Sequence, residues 1–183
     1  YPKPLIDISS KPMILRAAKS LPNSTNYYFL LNKNVITNYK ERVLKVTKCF
    51  KNSKVISINK KTKGMAITCL EAAKYLKNDY PIIISSCDYS FLYNNKKFLS
   101  LIKVEKPDAV IFTFRDYPDA RIDPNSYAYV KVKNKNVTLV SEKKTISSKP
   151  NKDYAVTGIF YFKNWETFSY AVDKMIGKKN LVN

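Results

Sequence analysis

Residues 81–89, PIIISSCDY, restrict the fold of this chain more than any other stretch. Three consecutive isoleucines follow a proline and give way to two serines, a cysteine and Asp88. A short unbroken apolar run, bounded by Pro and small polar residues, predicts a strand buried on both faces, as in a parallel sheet. Such a strand needs helices above and below it and crossover connections to its neighbours. Asp88 then falls just past the carboxyl end of the strand, the edge where open α/β sheets bind ligands. A carboxylate there, followed by Tyr89 and Ser90, can hold a hard cation such as Mg²⁺. It can equally cap a helix that starts near Phe91.

The first ninety residues alternate as that strand requires. Leu5, Ile6 and Ile8 are expected in a core. A helix after Pro12 carries Met13, Ala17 and Leu21 on one face, and Tyr27–Leu31 is strand-like. Ile36, Tyr39, Val43, Val46 and Phe50 recur at 3–4 spacing and predict one amphipathic helix. Val55–Ile58 reads as a strand and Asn59–Gly64 as a loop. A helix with Ala66, Leu70, Ala73 and Leu76 inward follows. Beyond Asp88 the expectations are a helix over Phe91–Ile102, a buried strand over Ala109–Phe114, and an antiparallel hairpin from Tyr127–Val132 and Asn136–Val140. A strand over Ala155–Phe162, interrupted by Gly158, and a helix over Trp165–Ile176 close the pattern, the helix with Phe168, Ala171 and Met175 on one side. No repeat or linker divides the 183 residues, so one domain over 1–183 is expected.

Composition narrows the chemistry. The chain has no histidine, which excludes a Ser-His triad, a Cys-His nucleophile, a His-based zinc site and a histidine general base. Cys49, Cys69 and Cys87 form neither a CxxC nor a zinc pattern, so buried free thiols in a reducing, cytoplasmic setting are expected. No apolar run approaches the roughly 18 residues of a membrane helix, so no membrane insertion is expected. Net charge is +19, from 33 Lys+Arg against 14 Asp+Glu, a surplus that attracts polyanions in general. The lysines are scattered, however, without interleaved aromatic–basic repeats, and no nucleic-acid partner is expected. Carboxylates, lysines, backbone dipoles and an oxygen-ligated metal remain.

Four features stand in order: Lys3 between Pro2 and Pro4 on a stiff, extended backbone, Gly64 opening a helix, Asp88 past the strand, and Glu142-Lys143 after the hairpin. On these residues a resemblance rests. YPKPLIDISSKPMI resembles the PKPL…KPMI segment of GT-A-like nucleotidyltransferases, the sugar-phosphate nucleotidylyltransferases and their relatives in capsule and lipopolysaccharide synthesis. KGMAIT is similar to the glycine segment of that family, SSCDY to its metal aspartate and SEKK to its Glu-Lys sugar-phosphate contact. TGIFYFKNWETF is similar to a strand-plus-helix block of its short, capsule-associated members. The resemblance implies a Rossmann-like, GT-A-type α/β fold: three αβα layers, a mostly parallel central sheet and a small antiparallel hairpin. Such proteins usually open with a strand and a G-x-G-x-R loop before PKPL. They continue to a second metal aspartate beyond the point of Leu181-Val182-Asn183. By that measure the chain reads as an internal fragment, truncated at both ends.

The activity implied is transfer of a nucleoside monophosphate from a nucleoside triphosphate to a phosphorylated small molecule, such as a sugar phosphate, with release of pyrophosphate. The attacking phosphate is already an anion and needs no general base, which suits a chain without histidine. The resemblance makes Asp88 a catalytic ligand of Mg²⁺ and puts Lys3 on the α-phosphate. It puts Gly64 and Met65 at the nucleotide, and Glu142, Lys143 and Gly158 at the acceptor. It leaves the oligomeric state open, a homo-oligomer included. One alternative is a GT-A glycosyltransferase, which usually carries D-x-D where this chain has Asp88-Tyr89-Ser90. The other is a basic binding module without catalysis.

Overall fold

The computed structural model describes residues 1–76 and 79–177. Leu181-Val182-Asn183, where the continuation toward a second metal aspartate is expected, lies outside the described residues. The chain opens with a 3₁₀ turn at Lys3–Leu5, then β1 (Asp7–Ile8), β2 (Lys11–Pro12) and α1 (Met13–Ser20). Next come β3 (Tyr27–Asn32), α2 (Lys33–Asn38), α3 (Lys40–Thr47), β4 (Ser53–Ile58) and α4 (Met65–Leu70). They are followed by β5 (Ile82–Ser85), α5 (Asn95–Glu105), β6 (Ala109–Phe114) and α6 (Asp119–Ile122). The last elements are β7 (Ala128–Lys133), β8 (Asn136–Glu142), β9 (Tyr154–Phe162) and α7 (Trp165–Gly177). The architecture is the Rossmann-like α/β kind that the sequence implies.

Two compact units form. The first comprises Tyr1–Ala109 with the described residues from Tyr161 onward. In it β3 and β4 run parallel, in register from Tyr27↔Ser53 to Asn32↔Ile58. Because side chains alternate along a strand, this pair supplies two cores. Phe29 and Leu31 pack with Leu5, Ile14, Leu15, Val43 and Val46, and Val55 leans on that cluster. Ile56 and Ile58 pack with Ala72 on the opposite face, joined by Tyr28, Leu30 and Leu76. A third cluster, Trp165, Phe168 and Val172 of α7, takes Ile82 and Ile84 of β5 together with Ala66, Ile67 and Leu70 of α4.

The second unit is Val110–Phe160. Here β7 pairs antiparallel with β8, from Ala128↔Glu142 to Lys133↔Asn136, and antiparallel with β9 at Tyr129↔Ala155 and Val130↔Tyr154. Antiparallel pairing therefore extends past the expected hairpin. Tyr129 and Val130 form its buried centre, with Ala155 and Ile159.

Several local expectations need correction. The single helix expected through Phe50 is two, because Tyr39 (φ −129°, ψ 34°) leaves the helical region between α2 and α3. Its apolar spacing runs on across the break, since Ile36, Tyr39, Val43, Val46 and Phe50 all reach one core cluster. The helix expected from Phe91 starts at Asn95, where the Asn94 side chain accepts from the Lys97 N–H at 2.9 Å and caps it. α4 stops at Leu70, with a 3₁₀ turn at Ala73–Tyr75 after it, and this rotation buries Ala72 instead of Ala73. α1 buries Ile14, Leu15 and Ala17, and α7 buries Val172 in place of Ala171. Ile6 and Ile8 are exposed, because the 3₁₀ turn points only Leu5 inward. β5 is half-buried at every position, so both faces are covered, neither completely. The cysteines are free, but none is fully buried: Cys49 is exposed on the turn that follows α3, and Cys69 and Cys87 are half-buried.

Candidate functional site

Lys3 is placed by its neighbours. Pro2 is extended (φ −63°, ψ 147°), and the next three residues coil into a 3₁₀ turn closed by the Leu5 N–H donating to the Pro2 carbonyl at 2.8 Å. The extended backbone expected at Lys3 thus ends one residue early. Leu5 is fully buried and anchors the turn. Arg42 adds a second clamp: it pairs with Asp7 and lies 4.5 Å over the Tyr1 ring.

Asp88 follows β5 after two intervening residues. Cys87 beside it packs against the cluster that holds Leu5. One core therefore fixes both backbones, and the two side chains meet: Lys3 Nζ lies 2.6 Å from Asp88 Oδ2. Lys3 is 63% exposed and Asp88 24%. Burial is the largest influence on the Asp88 carboxyl and pushes its pKa up, but Lys3 and the nearby Ser86 hydroxyl together hold it below the ordinary 3.8. The carboxylate in turn holds the Lys3 ammonium above its usual 10.5. Burial and the charge of Asp88 push the pKa of the Cys87 thiol up, away from the range of reactive thiolates.

Sequence reasoning missed Ser86. Its Oγ is shielded from solvent and has no hydrogen-bond partner. It lies near enough to Asp88 to stabilise the carboxylate, though not in hydrogen-bonding geometry. Nothing in a Ser-Ser-Cys-Asp string signals an unpaired hydroxyl, since pairing depends on what folds around it.

Among the described residues no group of three or more His, Cys, Asp or Glu converges on one point. The residues present therefore fit a Mg²⁺ that brings most of its ligands with it, as a nucleotide-bound ion does, and not a protein-caged metal. Asp88 and the orphaned Ser86 Oγ are the oxygens suited to it.

Gly64 takes φ 94°, ψ 171° immediately before α4, a conformation that other residues rarely adopt. A Cβ there would meet nothing within 4 Å, so the glycine is required by the backbone and faces open space. Met65 is the first residue of α4 and half-buried. The other three candidates belong to the second unit. Glu142 ends β8, and Lys143 (φ 51°) donates its N–H to the Tyr127 carbonyl at 3.1 Å, leaving both side chains exposed. Gly158 sits within β9 at φ 75°. This twist lets the Ile159 N–H reach Thr157 Oγ1 at 3.3 Å while that hydroxyl donates to the Phe112 carbonyl at 2.9 Å. Gly158 therefore has a backbone role, whatever else it does.

The description "Nucleotidyl transferase" belongs to a family model that matches residues 1–180. No curated protein matches the chain. Solved structures with a similar fold include a nucleoside-diphosphate-sugar pyrophosphorylase from Vibrio cholerae: TM-score 0.70, 18% identity, covering 96% of this chain and 70% of that one. A Bacillus anthracis protein described as a glucose-1-phosphate thymidylyltransferase, solved with sucrose, has TM-score 0.73 and 19% identity over 93% of this chain and 66% of its own. A UDP-glucose pyrophosphorylase bound to UDP-glucose has TM-score 0.66 and 14% identity over 94% and 71%. At these identities the likeness is one of fold.

Proposed function

The chain belongs to the nucleotidyl transferase family, and from that premise we propose that it transfers a nucleoside monophosphate from a nucleoside triphosphate to a phosphorylated small molecule, a sugar phosphate or similar. A phosphate oxygen of the acceptor attacks the α-phosphorus. The bond to the β-phosphate oxygen breaks, and pyrophosphate leaves with the electron pair. No proton has to move, so positioning and charge neutralisation carry the catalysis. Lys3 neutralises the α-phosphate as a point charge. Asp88 and Ser86 would hold Mg²⁺, which supplies Lewis-acid stabilisation of the phosphates when bound. Gly64 and Met65 are assigned to the nucleotide, and Glu142, Lys143 and Gly158 to the acceptor.

The observation that carries this reading is the 2.6 Å contact between Lys3 and Asp88. A pair in which Lys3 is 63% exposed adds about 1 kcal/mol of stability or less, so its placement suits ligand chemistry better than folding. The product would be an activated precursor for capsule or other surface polysaccharide, formed in the cytoplasm. The resemblance of TGIFYFKNWETF to capsule-associated relatives and three free cysteines support that setting. No described helix is long and apolar enough to cross a membrane.

The test uses the complete gene product with CTP, UTP, GTP, ATP and dTTP in turn, each with Mg²⁺. One triphosphate should raise the melting temperature, with about 2.7 kcal/mol of added stability at 100 Kd. The same triphosphate should yield pyrophosphate when a sugar phosphate is supplied. Asp88→Asn should abolish pyrophosphate release and leave the circular dichroism spectrum unchanged. Stabilisation by nucleotide-sugars, but by no triphosphate, would sink the reading in favour of glycosyl transfer.

A further inference from the structure

Asp88 carries a negative charge that in this structure is already matched by the Lys3 ammonium 2.6 Å away. A neutral pair exerts little pull on a dication. A cation arriving at Asp88 therefore competes with the ammonium for the carboxylate. Lys3 can leave easily, being 63% exposed on a flexible stem. Two residues before Asp88, the Ser86 Oγ is shielded from solvent beside the Asp88 carboxylate and makes no hydrogen bond of good geometry. Buried polar atoms are nearly always paired, and an exception calls for an explanation. A hydroxyl oxygen is a hard donor suited to a hard cation.

We propose that cation loading is an exchange: the ion replaces the Lys3 ammonium on Asp88 and takes Ser86 Oγ as its second protein ligand, while the displaced ammonium moves to the phosphates. The proposal rests on the reading of Asp88 as the cation ligand given above. Without nucleotide, Lys3 plugs the site. Phosphates remove the plug by drawing Lys3 to themselves, so metal and nucleotide bind cooperatively, as linkage requires.

The exchange predicts opposite effects from two neighbouring substitutions. Mn²⁺ binding to the complete gene product, without nucleotide and at low salt, is followed by the loss of the free-ion electron paramagnetic resonance signal. Lys3→Met should tighten binding at least about tenfold, the scale on which one adjacent charge shifts occupancy at a carboxylate. Ser86→Ala should weaken it by about tenfold, and Ser86→Thr, which keeps the hydroxyl, should retain it. Circular dichroism checks that each variant is folded. Affinity unchanged or weakened in Lys3→Met overturns the exchange, as does affinity unchanged in Ser86→Ala. These measurements are independent of turnover: the expected Mn²⁺ pattern without any pyrophosphate release would retain the exchange and remove the nucleotidyl transfer.

Discussion

Lys3 and Asp88 are 85 positions apart in sequence and meet because Leu5 and Cys87 lean on the same core cluster. Their coupling makes a stability prediction whose sign follows from both groups. Asp88 is held below its ordinary 3.8, so its contribution is present above that pH and is lost as pH falls through the lowered folded value. Lys3 is held above 10.5, so its contribution is full below that pH and is lost as pH rises through the raised folded value. The stability difference between the natural chain and Lys3→Met should therefore be flat from about pH 5 to 9 and shrink outside it. Solvent limits it to about 1 kcal/mol. Urea titrations across that range measure it, and a difference that changes between pH 5 and 9 would assign the effect to another titrating group. At this scale the sequence was legible for Asp88, whose place past a strand end follows from local pattern. It was not legible for Ser86, whose lack of a partner is a property of the folded surroundings.

Elements were readable where a single strong period or a single stop signal decides the outcome. The triple isoleucine made β5, and alternation made the two faces of β3 and β4. Helix bounds were less readable, because the apolar spacing that defines a buried face continues through breaks in the backbone. Ile36 to Phe50 keep one face across Tyr39, where the helix does not. The helix expected from Phe91 begins four residues later, at Asn95, because the Asn94 cap sets its start. Gly64 shows the same limit from the other side: its place before a helix was plain, its φ of 94° was not. That angle with ψ 171° lies in a region open essentially to glycine alone, where other residues carry about 1–3 kcal/mol of strain. Gly64→Ala should accordingly cost about that much in urea unfolding, although a methyl there meets no neighbour. A neutral substitution would show that the turn before α4 relaxes to a negative φ at no cost.

For the molecule as a whole, charge is the dominant long-range term. Of 33 basic residues, 14 at most can be matched by an acidic one, which leaves 19 unmatched. Two of the ion pairs, Lys163–Asp108 and Lys152–Asp116, are well exposed, with side chains 49–74% accessible. Such pairs contribute little, and salt weakens them slightly. The unmatched lysines repel one another over longer distances. Two charges about 20 Å apart in water interact by roughly 0.2 kcal/mol. Many such pairs sum to a few kcal/mol, and the expanded unfolded chain suffers less of it. Raising ionic strength shortens the screening length from about 30 Å at 0.01 M to about 8 Å at 0.15 M, which suppresses repulsion across the fold while leaving buried packing untouched. The melting temperature should therefore rise with salt over that range, by about 2–4 °C for each kcal/mol relieved. Trp165, the only tryptophan, is buried at 7% exposure in the α7 core and offers an internal emission signal for the transition. A melting temperature that falls as NaCl is added would mean that attractive pairs outweigh the surplus, contrary to the charge count and to the exposure of the pairs observed.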